Sequence, residues 1–389
     1  MVNDTFYYPM LWLVVVAMVA GVFVVINSLR YYRLKLEQQP GLHGKSIRQL
    51  TFLKRIHWVL EGLIFLMIAG GLSAWYVDWS AEKRASAEYR AKLTPVFEPG
   101  KIWTAPDPAL AQLDPDAKLI EYGRDLIAHT QDYFGPAGLV RPASINNLNC
   151  QSCHLDAGAK PFGNNYFAVQ STYPLLRARS GTLETIPKRV NDCFERSLDG
   201  QALDSTSREM KAIVAYIRWL GSGVPKDAKP KGTGLVEVPF LDRPADPAKG
   251  QAVYVAKCTS CHGSDGQGLP MPGSPRQYPP LWGEHSYNEA AGLFRLSRLA
   301  GYAKANMPLG ATYDNPQLTD EEAWDVAAFV NTQKRPHIKV PADWPDKSKK
   351  PIDHPFGPYA DQFTQQQHKF GPFQPIEAAT KDKPTLLNK

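Results

Sequence analysis

Four of the five cysteines in this 389-residue chain fall into two matching patterns, Cys150-Gln151-Ser152-Cys153-His154 and Cys258-Thr259-Ser260-Cys261-His262. Two thiols at this spacing lie within one helical turn. They can form thioethers with the two vinyl groups of a porphyrin, and the histidine that follows reaches its iron. A zinc or redox C-x-x-C is the competing reading, and repetition of the whole five-residue pattern in an exported chain argues against it. The motifs predict two covalently bound c-type haems, attached through Cys150, Cys153, Cys258 and Cys261, with His154 and His262 as proximal iron ligands. Such attachment takes place outside the cytoplasmic membrane, which assigns both haem segments to the periplasm.

The groups on the far side of each iron are less directly marked. Met307 lies in Ala305-Asn306-Met307-Pro308-Leu309-Gly310, 45 residues after His262 and just before an amphipathic stretch. It is the favoured ligand of the second iron, since Met/His ligation suits electron transfer. Met271 and His285 compete with it; Met271 follows its motif so closely that a loop under the haem edge fits it better. The first copy has no Met-Pro at the matching place, and its Met210 reads as core. It has instead Cys193, 39 residues after His154. An unpaired cysteine is either a small buried hydrophobe or a reactive thiol and ligand. Arg177, Arg179, Lys188, Arg189 and Arg196 crowd the same stretch. Positive charge favours the thiolate, the form that binds iron, and five cations around one thiol also make an anion site. Propionate pairing or a solvated face is the plainer role for some of them.

Two similar stretches must position these groups. In the first, an amphipathic segment from Asp116 containing Gly123 leads to the first motif and ends in a helix over Ser207–Leu220. In the second, Asp246 to Val255, containing Gly250, leads to the second motif and ends in a helix over Asp320–Asn331. Capping boxes, Thr206 with Glu209 and Thr319 with Glu322, start both terminal helices. Met210, Ile213, Val214, Ile217 and Leu220 form an apolar stripe at helical spacing. Gly123 and Gly250 stand where a first helix is crossed closely by the aromatic face of a last one, through Tyr216 or Trp219 and through Trp324 or Phe329. The expected fold is mainly α, with two tandem cytochrome c domains over 106–232 and 240–335. A linker over 81–105, helical at first, precedes them. A long irregular tail over 336–389, too aromatic to be plain disorder, packs on the haem domains. With 33 prolines and 29 glycines, much of the chain is ordered loop.

Residues 1–80 read as a two-helix transmembrane hairpin. The apolar runs at about 9–29 and 57–77 each reach the roughly 20 residues that a bilayer requires. Between them stand Arg30, Arg33, Lys35, Lys45, Arg48, Lys54 and Arg55 against the single acid Glu37. The positive-inside rule places this loop in the cytoplasm, so everything after Asp78 faces the periplasm, where haem attachment requires it. No Lys or Arg precedes the first run, which argues for an uncleaved helix rather than a signal peptide. Tyr7, Tyr8, Trp12, Trp58, Trp75, Tyr76 and Trp79 suit the two interfaces. Glu61, the one acid inside a span, fits a snorkelling or partner-facing role. The location implied is the bacterial inner membrane, with lipid as a partner. A net charge of +6, divided evenly between the hairpin and the remainder, does not suggest nucleic acid.

Three stretches resemble the dihaem thiosulfate dehydrogenases, or tetrathionate synthases. They are Asn147-Leu-Asn-Cys-Gln-Ser-Cys-His-Leu-Asp-Ala-Gly158; Arg177-Ala-Arg-Ser-Gly181 followed by Arg189-Val-Asn-Asp-Cys193-Phe-Glu-Arg-Ser-Leu-Asp-Gly200; and the tail segments Lys350–Asp361 and Gln367–Phe373. The likeness covers about residues 105–375. It implies that Cys193 is the distal ligand of a catalytic haem, that Arg179, Arg189 and Ser197 line a substrate site, and that Met307 ligates an electron-exit haem. Some relatives carry a lysine beside this methionine that can replace it as ligand; Asn306 stands there in this chain. The relatives are soluble periplasmic proteins, so the membrane hairpin points to a fixed membrane partner.

The activity so implied is coupling of two thiosulfates into tetrathionate, or the reverse, with a c-type cytochrome or a membrane terminal oxidase as electron acceptor. A reading from another class is a non-catalytic dihaem electron-transfer subunit of a membrane oxidase or respiratory complex. A third is a carrier holding sulfane sulfur on Cys193. A pure relay has no need of a thiolate ligand, which makes Cys193 the discriminating residue.

Overall fold

The computed structural model describes residues 4–38, 44–93 and 96–381. It divides into two compact units, Met1–Tyr89 and Arg90–Lys389.

The first unit holds α1 (Asp4–Glu37) and most of α2 (Gly44–Leu93). Lys54 Nζ lies 3.1 Å from Glu37 Oε1, tying the start of α2 to the end of α1. Within α2, Ile47–Glu88 is long and apolar enough to cross a membrane. Its large apolar side chains, Trp58, Phe65, Leu66 and Tyr76 among them, are exposed. Tyr7, Tyr8 and Trp12 have side chains outside the described residues, as does the 39–43 part of the basic loop. Glu61 is paired with His57 one turn away, at 3.1 Å. α2 does not stop at Asp78; it runs on to Leu93, so the first half of the expected linker is continuous helix.

The first haem-motif domain opens with α3 (Pro108–Gln112), whose N-terminus is capped by Asp107 accepting from the Ala109 N–H at 2.9 Å. α4 (Ala117–Ala128) and α5 (Thr130–Phe134) follow, then α6 (Val169–Thr172). A short antiparallel hairpin joins β1 (Leu175–Arg177) to β2 (Thr182–Glu184). α7 (Ile186–Arg196) and α8 (Arg208–Leu220) complete the domain. α4 and α8 cross at Gly123, where an added Cβ would stand 2.0 Å from the Ala212 carbonyl oxygen and 2.9 Å from Tyr216 Cβ. Only glycine permits that approach. The N-cap of α8 is Ser207, which accepts from the Met210 N–H, and not Thr206, whose hydroxyl donates to Asp204 instead. Met210 is fully buried among Leu126, Ile127, Phe134 and Phe194.

The second domain repeats the plan with α9 (Pro247–Lys257), α10 (Thr259–His262), α11 (Leu296–Asn306) and α12 (Asp320–Thr332). Thr319 and Glu322 form the reciprocal capping box at the start of α12. α9 and α12 cross at Gly250, where a Cβ would meet the Asp325 carbonyl oxygen at 1.8 Å. The contact is thus with the α12 backbone, not with the rings of Trp324 or Phe329. Phe329 packs on Tyr254, and Trp324 turns its indole N–H to the Pro239 carbonyl at 2.8 Å.

The tail adds α13 (Gln365–Phe370) and α14 (Gln374–Lys381). Phe370, Phe373 and Ile376 are buried with Trp324, Ala327 and Ala328, so this part of the tail belongs to the core of the second domain. Asp353, 2 % exposed, takes hydrogen bonds from Arg295 and from the Ser297 N–H and hydroxyl. The two domains meet along α11: Tyr302 donates to the Ser152 carbonyl at 2.8 Å and Asn306 to that of Phe162 at 3.0 Å.

Candidate active site

Around the first motif the backbone is pinned before any cofactor is considered. The Cys150 N–H donates to Thr130 Oγ1 at 2.9 Å, and Asn149 Oδ1 accepts from the Gln131 N–H at 2.9 Å. A single turn then brings the His154 N–H to the Cys150 carbonyl at 2.9 Å. The His154 ring stacks on Tyr166 with centroids 4.5 Å apart, and its Nδ1 faces the Asn164 carbonyl. A carbonyl only accepts, so the proton sits on Nδ1 and the Nε2 lone pair is left for a metal. Burial pushes the His154 pKa down to about 4, which keeps the ring neutral. The same logic holds at the second motif: His262 Nδ1 lies 3.1 Å from the Pro279 carbonyl, and burial lowers its pKa.

α7 brings the remaining groups. Thr185 caps it, and Pro187 in the first turn costs no helical hydrogen bond. Arg189, Cys193 and Ser197 recur at every fourth residue, so one helix face carries all three. That face lines a single cavity with Cys150, Cys153, His154, Tyr166 and Tyr173. Both thioether-forming thiols, a histidine with Nε2 free and a second sulfur therefore share one enclosure, and these residues fit a haem held between His154 and Cys193. Burial raises the Cys150 and Cys153 thiols to about 12. Arg189 is held more firmly protonated than an ordinary arginine, chiefly by the negative charge Cys193 can carry.

The five cations divide sharply. Arg177 pairs with Glu184 and, at 3.5 Å, with Asp192. Arg196 makes a bidentate pair with Asp343 at 2.7 and 2.9 Å. Lys188 is exposed and donates to Thr182. Among the described residues, Arg189 and Arg179 have no carboxylate partner. Arg189 lines the cavity; Arg179 does not, and is buried beyond it with Nη1 3.5 Å from the Ala290 carbonyl. Burial, reinforced by Arg177, Arg196 and Arg189, lowers the Arg179 pKa to about 10.

At the second motif, Met307 ends α11 and is half-buried. Of its competitors, His285 is exposed, and Met271 is held in a loop with its N–H on the Arg276 carbonyl at 2.8 Å.

Two domain families match where the motifs lie: "SoxA/TsdA, cytochrome c domain" over residues 140–225 and "Cytochrome c" over 247–334. The thiosulfate dehydrogenase of Allochromatium vinosum is 38% identical over 245 residues, 60% of this chain and 88% of that protein. The chain belongs to the thiosulfate dehydrogenase family. It is an oxidoreductase of that kind, a c-type cytochrome with two covalently bound haems. A second family member, from Thiomonas intermedia, is 34% identical over 61% of this chain and 72% of its own length. The solved thiosulfate dehydrogenase (TsdBA) from Marichromatium purpuratum, in its as-isolated form, superposes with a TM-score of 0.55 at 32% identity over 60% of this chain. This chain covers half, 50%, of that solved chain.

Several groups at the family's site gave no signal in the sequence. Asn164 acts through a carbonyl that any residue carries. Trp344 and His354 reach the Arg179 neighbourhood from the tail; His354 lies in a stretch that resembles the family, and nothing local marks Trp344. The counter-ions Glu184, Asp192 and Asp343 became visible only once the chain was folded.

Proposed function

We propose that this chain oxidises thiosulfate to tetrathionate in the cavity lined by His154 and Cys193, and that its second domain passes the electrons on. The observation that carries the reading is the placement of Cys193, with Arg189 and Ser197, in the same cavity as the first haem-attachment motif. His154 and Cys193 would hold the first iron, and His262 and Met307 the second. The names of the relatives agree with thiosulfate as the substrate.

Each bound haem takes up one electron at a time. Arg189 offsets repulsion when a thiosulfate dianion approaches a thiolate. A Cys193 thiolate and one thiosulfate form an S–S bond and release two electrons, leaving a cysteinyl thiosulfonate. A second thiosulfate attacks that bond, forms tetrathionate and returns the thiolate. No proton is gained or lost in either half, and the two electrons match two haems. Ser197, at the C-terminal end of α7, would donate a hydrogen bond to sulfonate oxygen. Tyr302, bonded to Ser152 inside the first motif, and Met307, five residues further on, link the two domains through α11.

Apolar, exposed Ile47–Glu88 supports anchoring in the inner membrane. With α1 it would form the hairpin, leaving the haem domains in the periplasm and a c-type cytochrome or terminal oxidase as acceptor. Cys193→Ala should abolish haem reduction by thiosulfate while both haems remain attached. Full thiosulfate-dependent reduction in that variant would remove the assignment and leave the relay reading. Tetrathionate added to the reduced protein tests the reverse direction in the same cuvette.

A further inference from the structure

The carbonyl that faces His154 Nδ1 belongs to Asn164, in a loop where Phe162 and Asn164 both stand at positive φ, +55° and +58°. Such a backbone is costly for residues that carry a side chain, and it persists where the surroundings over-determine it. Here the surroundings are residues 232–234, in the segment that joins the two haem domains. The Phe162 N–H donates to the Gly232 carbonyl at 2.7 Å, and the Asn164 N–H to that of Gly234 at 2.8 Å. Asn165, 7% exposed, closes the arrangement through its side chain. Its Nδ2 donates to the Lys160 carbonyl at 3.0 Å and to the Gly232 carbonyl at 2.6 Å, and its Oδ1 accepts from the Phe167 N–H at 3.4 Å. Asn164 and Asn165 both line the cavity that holds His154 and Cys193.

The joining segment is held from its other side by the chain that follows α2. Ile102 and Lys231 form a parallel bridge, and the Trp103 N–H donates to the Lys231 carbonyl at 3.1 Å. Trp103, 4% exposed, is buried with Phe167 and Val224. A continuous set of contacts therefore runs from Trp103 through residues 231–234 to Asn164 and His154. The second motif is built differently. The carbonyl that faces His262 Nδ1 is that of Pro279, and its neighbours bond within their own loop: Tyr278 N–H to the Leu269 carbonyl at 2.9 Å and Leu281 N–H to that of Gly266 at 2.8 Å. A hydrogen bond from Nδ1 to a carbonyl raises the basicity of the ring toward a metal, which favours ferric over ferrous iron. How firmly the carbonyl is held thus bears on the potential of the iron beyond it.

We propose that Asn165 is a positioning residue for the first haem. With residues 232–234 it holds the Asn164 carbonyl on His154 Nδ1, and this clamp sets the reduction potential of the first haem while leaving that of the second alone. The segment joining the domains thereby couples the first haem to the chain arriving from α2. The inference takes His154 as ligand of the first iron from the proposed function; it does not depend on thiosulfate as the substrate.

Asn165→Ala removes both side-chain donors and frees the loop. Weakening one neutral hydrogen bond predicts that the reduced-to-oxidised ratio of the first haem, at fixed potential, rises roughly two- to tenfold, an upward shift of about 20–60 mV. The potential of the second haem should stay as it is. The measurement is a redox titration in which the two haems are told apart by their ferric EPR signals. Gly234→Ala tests the far end of the clamp. Gly234 stands at φ +75° with open space around an added Cβ, so the substitution strains the segment without a clash. It should shift the same haem in the same direction, and it decides the matter if Asn165→Ala does not fold. A lowered melting temperature with both potentials unchanged would make Asn165 purely structural and overturn the proposal. Equal shifts of both haems would overturn it too. A selective shift in a protein that thiosulfate does not reduce would leave the clamp standing and remove the proposed function.

Discussion

Single residues here are tuned by what surrounds them. His154 and His262 each spend Nδ1 on a backbone carbonyl, which orients the ring and leaves the Nε2 lone pair unspent. His354 shows the cost of burying a histidine among cations. Burial first, then Lys350, Arg179 and Arg295, push its pKa from about 6.5 to about 4. The unfolded chain therefore takes up a proton near pH 6.5 that the folded protein refuses until about pH 4. This contribution to stability is complete above that window, falls as pH drops through it, and levels off below. His354→Gln should flatten that limb of the melting temperature against pH; an unchanged limb would show that other groups account for it.

Among the elements, the two helix crossings carry the fold. The expectation that Gly123 and Gly250 mark them came from their place in repeated amphipathic segments, and close backbone approach is what the structure shows at both. The side of the partner was less legible: at Gly250 the contact is the Asp325 carbonyl, because helices at this distance meet through backbone and the aromatic rings are displaced sideways. Gly250→Ala puts a methyl inside that carbonyl's radius. The helices must part, with a loss of about 1–3 kcal/mol or more, measurable by denaturant unfolding of the holoprotein. α7 was not read from the sequence, although the four-residue recurrence of Arg189, Cys193 and Ser197 carries the signal of a common helix face. The cap of α8 was misread by one residue, because Thr206 and Ser207 are both competent caps and Asp204 captured the threonine hydroxyl.

For the whole molecule, the tail decides more than its irregular composition suggests. It contributes Phe370, Phe373 and Ile376 to the second core and Trp344 and His354 to the surroundings of Arg179. Asp353 fastens it: burial alone would raise this carboxyl, and Arg295 and Ser297 outweigh that and hold it below the usual range. Asp353→Asn leaves the half-buried Arg295 without its counter-charge. A loss of about 1–3 kcal/mol is expected, together with earlier proteolysis of the tail.

The sequence alone determined the two haem-attachment motifs, the mainly helical plan and a long apolar helix in the N-terminal part. Each of these rests on neighbours within a turn or on a period within a single helix, so short-range pattern suffices. Which cations remain uncompensated was decided only by the tertiary structure. Five stood near Cys193 in the sequence and looked alike. Charge pairing acts through space, and Arg196 finds its carboxylate 147 residues away on the tail, while Arg179 finds none among the described residues.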